Sequence, residues 1–167
     1  MSYISEQLLQ TVLVLDPRDI TNDIDNLVKN KLKDNIEGKC HEDGYIIRDS
    51  VRIIKRNIGS IVTDNGKSVI KYPISYRAQL IYPTEGDEIT MYISNINKMG
   101  VVGYIKLNEG DKSEESPLII MIPKEYFEGS SKNIHDLTIG QRLVVNVVGS
   151  RIKYHSENIQ VIAKPLE

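Results

Sequence analysis

The sequence predicts an α+β chain of two modules: an N-terminal antiparallel sheet with one helix over residues 1–82, and a C-terminal five-stranded β-barrel over residues 83–167. Three observations carry that expectation. A single helical stripe occurs, Ile20, Ile24, Leu27, Val28 and Leu32, within a chain whose other segments read as strands. One run of β segments ends at Tyr82-Pro83, and a new alternation starts after the turn Gly86-Asp87-Glu88. Beyond it lie five short strands, with a longer insertion between the third and fourth.

The elements follow in order. Leu8 to Leu15 is apolar at both parities, as in a strand buried on both faces. Asp16-Pro17-Arg18-Asp19 opens the helix: Asp16 caps it, Pro17 suits its first position and Asp19 places a carboxylate in its first turn. The stripe carries the helix to about Lys33 or Asp34. Ile36 to His41 is a short strand, and His41-Glu42-Asp43-Gly44 is a turn. Tyr45 to Ile61 is mostly β-branched and interrupted by charges. Asp64-Asn65-Gly66 marks a tight hairpin, because Asn-Gly supplies positive φ at low cost. Val69 to Tyr82 is the return strand, with Tyr72, Tyr76 and Tyr82 at one parity, and Pro73 places an edge or bulge within it.

In the second module, Ile89, Met91 and Ile93 alternate with Thr90, Tyr92 and Ser94. Asn97-Lys98-Met99-Gly100 turns into a strand from Val101 to Leu107. Asn108 to Ser116 is an acidic, flexible loop, and Leu118 to Ile122 is a fully apolar strand. An irregular stretch with a helical turn at Lys124 to Phe127 precedes the alternation of Leu143, Val145 and Val147, and Asn158 to Ala163 closes the module. Five strands with that insertion match the OB-fold barrel.

Composition narrows the function classes. No apolar run approaches the ~20 residues that span a bilayer, and Met1 to Glu6 lacks the basic-then-apolar pattern of a secretory signal, so neither a membrane nor a secreted fate is expected. The single cysteine, Cys40, excludes an internal disulfide and a cysteine-based zinc cage. The net charge of −2 argues against tight, unaided binding of nucleic acid, which normally needs a positive excess. His41, His135 and His155 have no metal-ligand spacing to one another or to Cys40, so no metal or other cofactor is expected. No nucleophile elbow, Walker-type loop or zinc-protease motif occurs, and Gly100-Val101-Val102-Gly103 falls within a strand pair rather than at a strand-to-helix turn. A catalytic role is not expected. In a barrel of this type, one face can stack bases on aromatics and track phosphates with basic residues. The candidates to face RNA are Tyr92, Lys98, Tyr104, Arg151, Lys153 and Tyr154; Arg142, Arg151, Lys153 and Tyr154 lie on or after the fourth strand.

An ordered series of short motifs carries a resemblance. These are Lys31-Leu32, Glu37-Gly38-Lys39-Cys40, Gly44-Tyr45-Ile46-Ile47, Asn57-Ile58-Gly59, Lys71 through Ala78, Gly86-Asp87, Asn97-Lys98-Met99-Gly100 and Val148-Gly149-Ser150-Arg151. Over nearly its whole length the chain resembles the stalk subunit of multisubunit DNA-directed RNA polymerases, the family of subunit seven of RNA polymerase II and its archaeal counterpart. The resemblance implies a non-catalytic protein with an N-terminal α+β module and a C-terminal OB barrel. It implies docking at the clamp base of the largest polymerase subunits, a small helical partner of the subunit-four type, and a barrel placed near nascent RNA and initiation factors. Carried over residue by residue, the docking tip comprises Asn57, Ile58 and Gly59 with Asp64, Asn65, Gly66 and Lys67. Two departures are evident: Met99-Gly100-Val101-Val102 lacks the aromatic that family barrels often carry after this turn, leaving Tyr104 to substitute, and the loop Asn108 to Ser116 is acidic. Stalk subunits also occur in large DNA viruses with their own polymerase, and the Ile/Asn/Lys bias is compatible with one. The implied location is the nucleus for a cellular eukaryotic protein, and host cytoplasm or virion for a viral one. The alternative expectation is a free-standing single-stranded RNA-binding OB protein.

Overall fold

Helix start signals compete along residues 16–24, and the structure shows which of them nucleates the helix. In the computed structural model, which describes residues 3–166 and only the backbone of Asp64, Pro17–Asp19 is a short 3-10 turn. The Asp16 carboxylate accepts from the Arg18 N–H at 2.9 Å and binds the Arg18 guanidinium, so that cap serves the turn alone. The helix α1 begins later, at Ile24, and runs to Ile36, with the Asp23 side chain accepting from the Asn26 N–H. Ile20 therefore precedes the helix rather than heading its stripe. Ile24, Leu27, Val28, Leu32 and Ile36 recur at three- and four-residue spacing and face inward.

The first sheet contains β1 (Ile4–Leu15), β2 (Cys40–His41), β3 (Gly44–Ile46), β4 (Arg52–Arg56), β5 (Ser60–Asp64) and β6 (Lys67–Ile81). The order is β1-β6-β3-β2, and β4 and β5 also pair with the long β6. The β2–β3, β4–β6 and β5–β6 pairs are antiparallel. Four expectations need correction here. The segment predicted as a strand from Ile36 to His41 is the end of α1 followed by a two-residue strand. The long segment from Tyr45 to Ile61 is broken at residues 47–51, where Asp49 takes φ 62°, and at residues 57–59. Pro73 lies in the central strand rather than at an edge: its missing donor falls where the pairing of β6 passes from β4 to β5, and its carbonyl accepts from the Asn57 N–H. Finally, β1 is buried on one face only. Leu9, Leu13 and Leu15 are buried while Leu8, Val12 and Val14 are exposed, because a single helix covers a single face of the sheet.

The second group of strands is a closed barrel of β7 (Glu88–Asn97), β8 (Gly100–Tyr104), β9 (Leu118–Pro123), β10 (Arg142–Arg151) and β11 (Ile159–Pro165). Numbered from the first barrel strand, the order around it is 1-2-3-5-4, closed by the antiparallel β7–β10 pair, and β9 with β11 is the one parallel pair. This is the Greek-key order of an OB-like barrel. Inward positions alternate strictly: Ile89, Met91 and Ile93 on β7, Leu143, Val145 and Val147 on β10, and Ile159, Val161 and Ala163 on β11 are buried. The expected helical turn at Lys124–Phe127 is a 3-10 turn that buries Phe127.

The described residues divide into two compact units, one of residues 6–38 and 46–80, the other of residues 3–5, 39–45 and 81–166. The first encloses a core of Leu9, Leu13, Leu15, Val28, Leu32, Ile46, Val51, Tyr72, Ile74, Tyr76, Ala78 and Leu80. In the second, the turn carrying Cys40 and His41 is part of the barrel unit, and the link after Tyr82 is tied to β10: Ser150 Oγ donates to the Pro83 carbonyl at 2.8 Å and the Gly86 N–H to the Val147 carbonyl at 2.9 Å. Among the described residues no helix is long and apolar enough to cross a membrane.

Candidate docking tip and nucleic-acid face

In the first unit, β5 and β6 form a hairpin in register from Ser60↔Lys71 to Asp64↔Lys67. Its turn residues Asn65 (φ 49°) and Gly66 (φ 78°) both take positive φ, the I′ geometry that matches strand twist. Asn65, Gly66 and Lys67 are exposed, and the side chain of Asp64 lies outside the described residues. The loop 57–59 precedes this hairpin. It is anchored by the Asn57 N–H on the Pro73 carbonyl, and it holds Ile58 at 91% exposure. Ile61, one strand position into β5, is 76% exposed. Leaving two β-branched apolar side chains in water forgoes about 1.5–3 kcal/mol each, relative to burying them. Gly59 plays a different part. A Cβ there would lie 2.5 Å from the Tyr72 ring and 2.8 Å from Ile70, so the backbone passes directly over the ring. Tyr72 also carries the Arg56 guanidinium 5.4 Å from its centroid, and Arg56 Nε donates to Asp25 Oδ1 at 2.9 Å. The residues expected to form one docking tip are thus separated: 57–59, with exposed Ile58, lies at the open end of the hairpin beside exposed Ile61, and 64–67 lies at its turn, roughly 13 Å along the ladder.

In the barrel unit, outward positions on β7 and β8 bring Tyr92 and Tyr104 into register. Their rings lie 5.9 Å apart at 37°. Lys106 Nζ stands 4.4 Å from the Tyr92 centroid, a cation–π contact worth about 0.5–1 kcal/mol at an exposed site. On the other side, Arg142 of β10 pairs with Tyr92. Gly103 pairs with Ile120, Ile119 with Gln160 and Gln160 with Arg151. One step from the first of these pairs, the row through Tyr92 and Tyr104 continues over exposed Ile119 and Gln160 to Arg151.

The remaining RNA candidates lie elsewhere on the barrel. Lys98 sits in the β7–β8 turn, where Asn97↔Gly100 is the last pair. That is five or six residues along the ladder from Tyr92, roughly 15–20 Å away. Lys153 and Tyr154 belong to the β10–β11 connection, which is bound to the Cys40 turn: the His155 N–H donates to the Cys40 carbonyl and the Cys40 N–H to the Ser156 carbonyl. Tyr154 is exposed and packs edge-on against His155, with 4.1 Å between centroids, and lies 6.4 Å from His41. Sequence reasoning missed Lys106. Strand alternation beyond Tyr104 assigns it to the tyrosine face, and that was the available signal.

Several polar groups of the barrel unit are engaged structurally. Buried Ser116 accepts from the Ile105 and Leu118 N–H groups and donates to the Leu118 carbonyl. The Cys40 thiol is buried, which pushes its pKa up, with the Ser156 hydroxyl hydrogen bond opposing the shift. Among the described residues, one group, His41, Glu42 and Asp43, brings three ligand atoms within 4.8 Å. These are consecutive residues of an exposed turn, and His41 Nδ1 accepts from the Asp43 N–H. The acidic loop is internally bonded: the Asp111 carboxylate accepts from the Leu107 and Asn108 N–H groups at 3.0 Å each. No protein-family model matches the chain.

Proposed function

We propose that this chain is a non-catalytic stalk subunit of a multisubunit DNA-directed RNA polymerase. The tip of its first unit docks to the polymerase core and its OB-like barrel faces exiting RNA, while a small helical subunit-four-like protein is its stalk partner. The observation that carries the reading is the pairing of architectures in one chain: an α+β unit with exposed Ile58 and Ile61 at the base of its β5–β6 hairpin, and a closed barrel with a paired-tyrosine face. A loop and strand start that hold two isoleucines in water have the features of a contact for a groove in a larger assembly, because a loop on a folded scaffold presents contacts at low ordering cost.

Affinity purification of the tagged chain followed by mass spectrometry tests this. The two largest polymerase subunits are the expected companions, and Ile58→Asp with Ile61→Asp should release them while the circular dichroism spectrum is retained. Recovery of the chain without any of the polymerase subunits would sink the reading. The tyrosine face favours one rival, a free-standing single-stranded RNA-binding protein. That rival requires measurable affinity of the isolated chain for a short RNA and no polymerase companions.

A further inference from the structure

A second polar feature adjoins the tyrosine face. The loop after the Lys124–Phe127 turn and the start of β10 line an open pocket of about 510 Å³, whose polar lining is Ser131, Lys132, Asn133, Asp136, Gln141 and Arg142 beside apolar residues. The chemistry of this lining is weighted toward donors. The Asn133 amide oxygen accepts from the His135 N–H at 3.0 Å, and the Gln141 amide oxygen accepts from the Thr138 N–H at 3.1 Å. Both amide oxygens are thus engaged within the loop, Gln141 also by the Thr138 hydroxyl, and their NH2 groups remain as donors for an occupant. Among the described residues, neither Lys132 nor Arg142 enters an ion pair. Two cations and one carboxylate leave a local positive excess in a chain of net charge −2.

We infer that this pocket binds a backbone phosphate of a single-stranded RNA whose bases stack on Tyr92 and Tyr104. The inference rests on the proposed reading of the barrel as RNA-facing, and it adds a path. Arg142 is at once a wall of the pocket and the cross-strand neighbour of Tyr92, about one strand spacing, ~4.8 Å, away. A strand crossing β8, β7 and β10 would meet Tyr104, Tyr92 and then the donor-lined pocket. Planar guanidinium, ammonium and amide NH2 groups match the acceptor oxygens of a phosphate, and aromatic rings accept any base.

Fluorescence anisotropy of the full chain on a labelled oligouridylate of about 12 nucleotides, over a salt series, tests the path. Arg142→Gln and Lys132→Gln should each lower affinity roughly three- to tenfold at low salt and flatten the log–log salt slope by about 0.7, the double variant by about 1.4. Tyr92→Ala should lower affinity roughly five- to hundredfold with the slope unchanged. Lys124→Gln, an exposed cation outside the pocket, should bind as the parent does. Lys132 lies in a loop outside every strand, so its variant reads the pocket even where a strand substitution disturbs the ladder. If both pocket variants keep the parent's affinity and slope while Tyr92→Ala loses affinity, the phosphate site is refuted and the RNA-facing barrel stands. Absence of binding by the parent at low salt refutes the RNA-facing reading and the phosphate site with it.

Discussion

Single residues set local chemistry in ways their neighbours decide. The Asp16 carboxyl is held down to about 2 by the side-chain hydrogen bond from Arg18, and then by the Arg18 N–H. A depressed folded-state pKa means that its contribution to stability is fully present above the ordinary aspartate range near 3.9 and is lost as pH falls toward 2. An NMR titration of the Asp16 carboxyl should find a midpoint near 2, and Arg18→Ala should move it back toward the ordinary range; no movement would show that Arg18 is not the cause. Cys40 behaves in the opposite sense. Burial raises its thiol pKa, so the neutral form is favoured and the stabilisation is lost as pH rises through the raised value. The thiol should therefore react with an aromatic disulfide reagent only slowly at neutral pH, and at full rate once urea unfolds the chain. Rapid native-state reaction would contradict the burial. The sequence shows a lone cysteine; that its sulfur sits against Ser156 and the Asn158 carbonyl, more than a hundred residues away, is decided by the fold.

At the scale of elements, hairpin and barrel strands were legible because they are local. Asn65-Gly66 dictates its turn, and period-two alternation dictates which side chains of β7 and β10 point inward. The helix start was not legible. Asp16 and Asp23 are both sound capping residues and both do cap, the first a 3-10 turn and the second α1. The docking tip separates in the same way. Sequence treats Ile58 and Gly59 as one motif; the structure gives one to solvent and presses the other against Tyr72. Gly59→Ala should therefore destabilise the chain by about 1–3 kcal/mol in urea unfolding, because the added Cβ meets a ring already fixed by Arg56. Ile58→Asp should change stability by no more than ~0.5 kcal/mol. Reversed magnitudes would mean the loop packs differently.

For the whole molecule, the proposal divides labour between the two units. Substitutions at Ile58 and Ile61 should abolish recovery of polymerase subunits while leaving RNA affinity of the isolated chain within a factor of about two. Tyr92→Ala with Tyr104→Ala should do the converse, at roughly 1–3 kcal/mol per lost base stack. Parallel pull-down and anisotropy on both variants check this, and loss of both activities in either variant would show that the roles are not separable. The acid count argues in the same direction. With net charge −2, the proposed RNA contact of the barrel would have to rest on few, local groups, and Tyr92, Lys106 and Arg142 share the face it would use.

The sequence by itself determined the α+β class, the two strand-rich halves, the Asn65-Gly66 hairpin and the inward-facing residues of the barrel, because turn chemistry and side-chain alternation act over a few residues. Only the tertiary structure decided which capping signal starts the helix, that one face of β1 stays in solvent, and that Arg142, Tyr92, Tyr104 and Lys106 form one surface beside a donor-lined pocket. Those outcomes depend on strand order and barrel closure, which bring residues dozens of positions apart into register, and local propensity carries no information about such pairings.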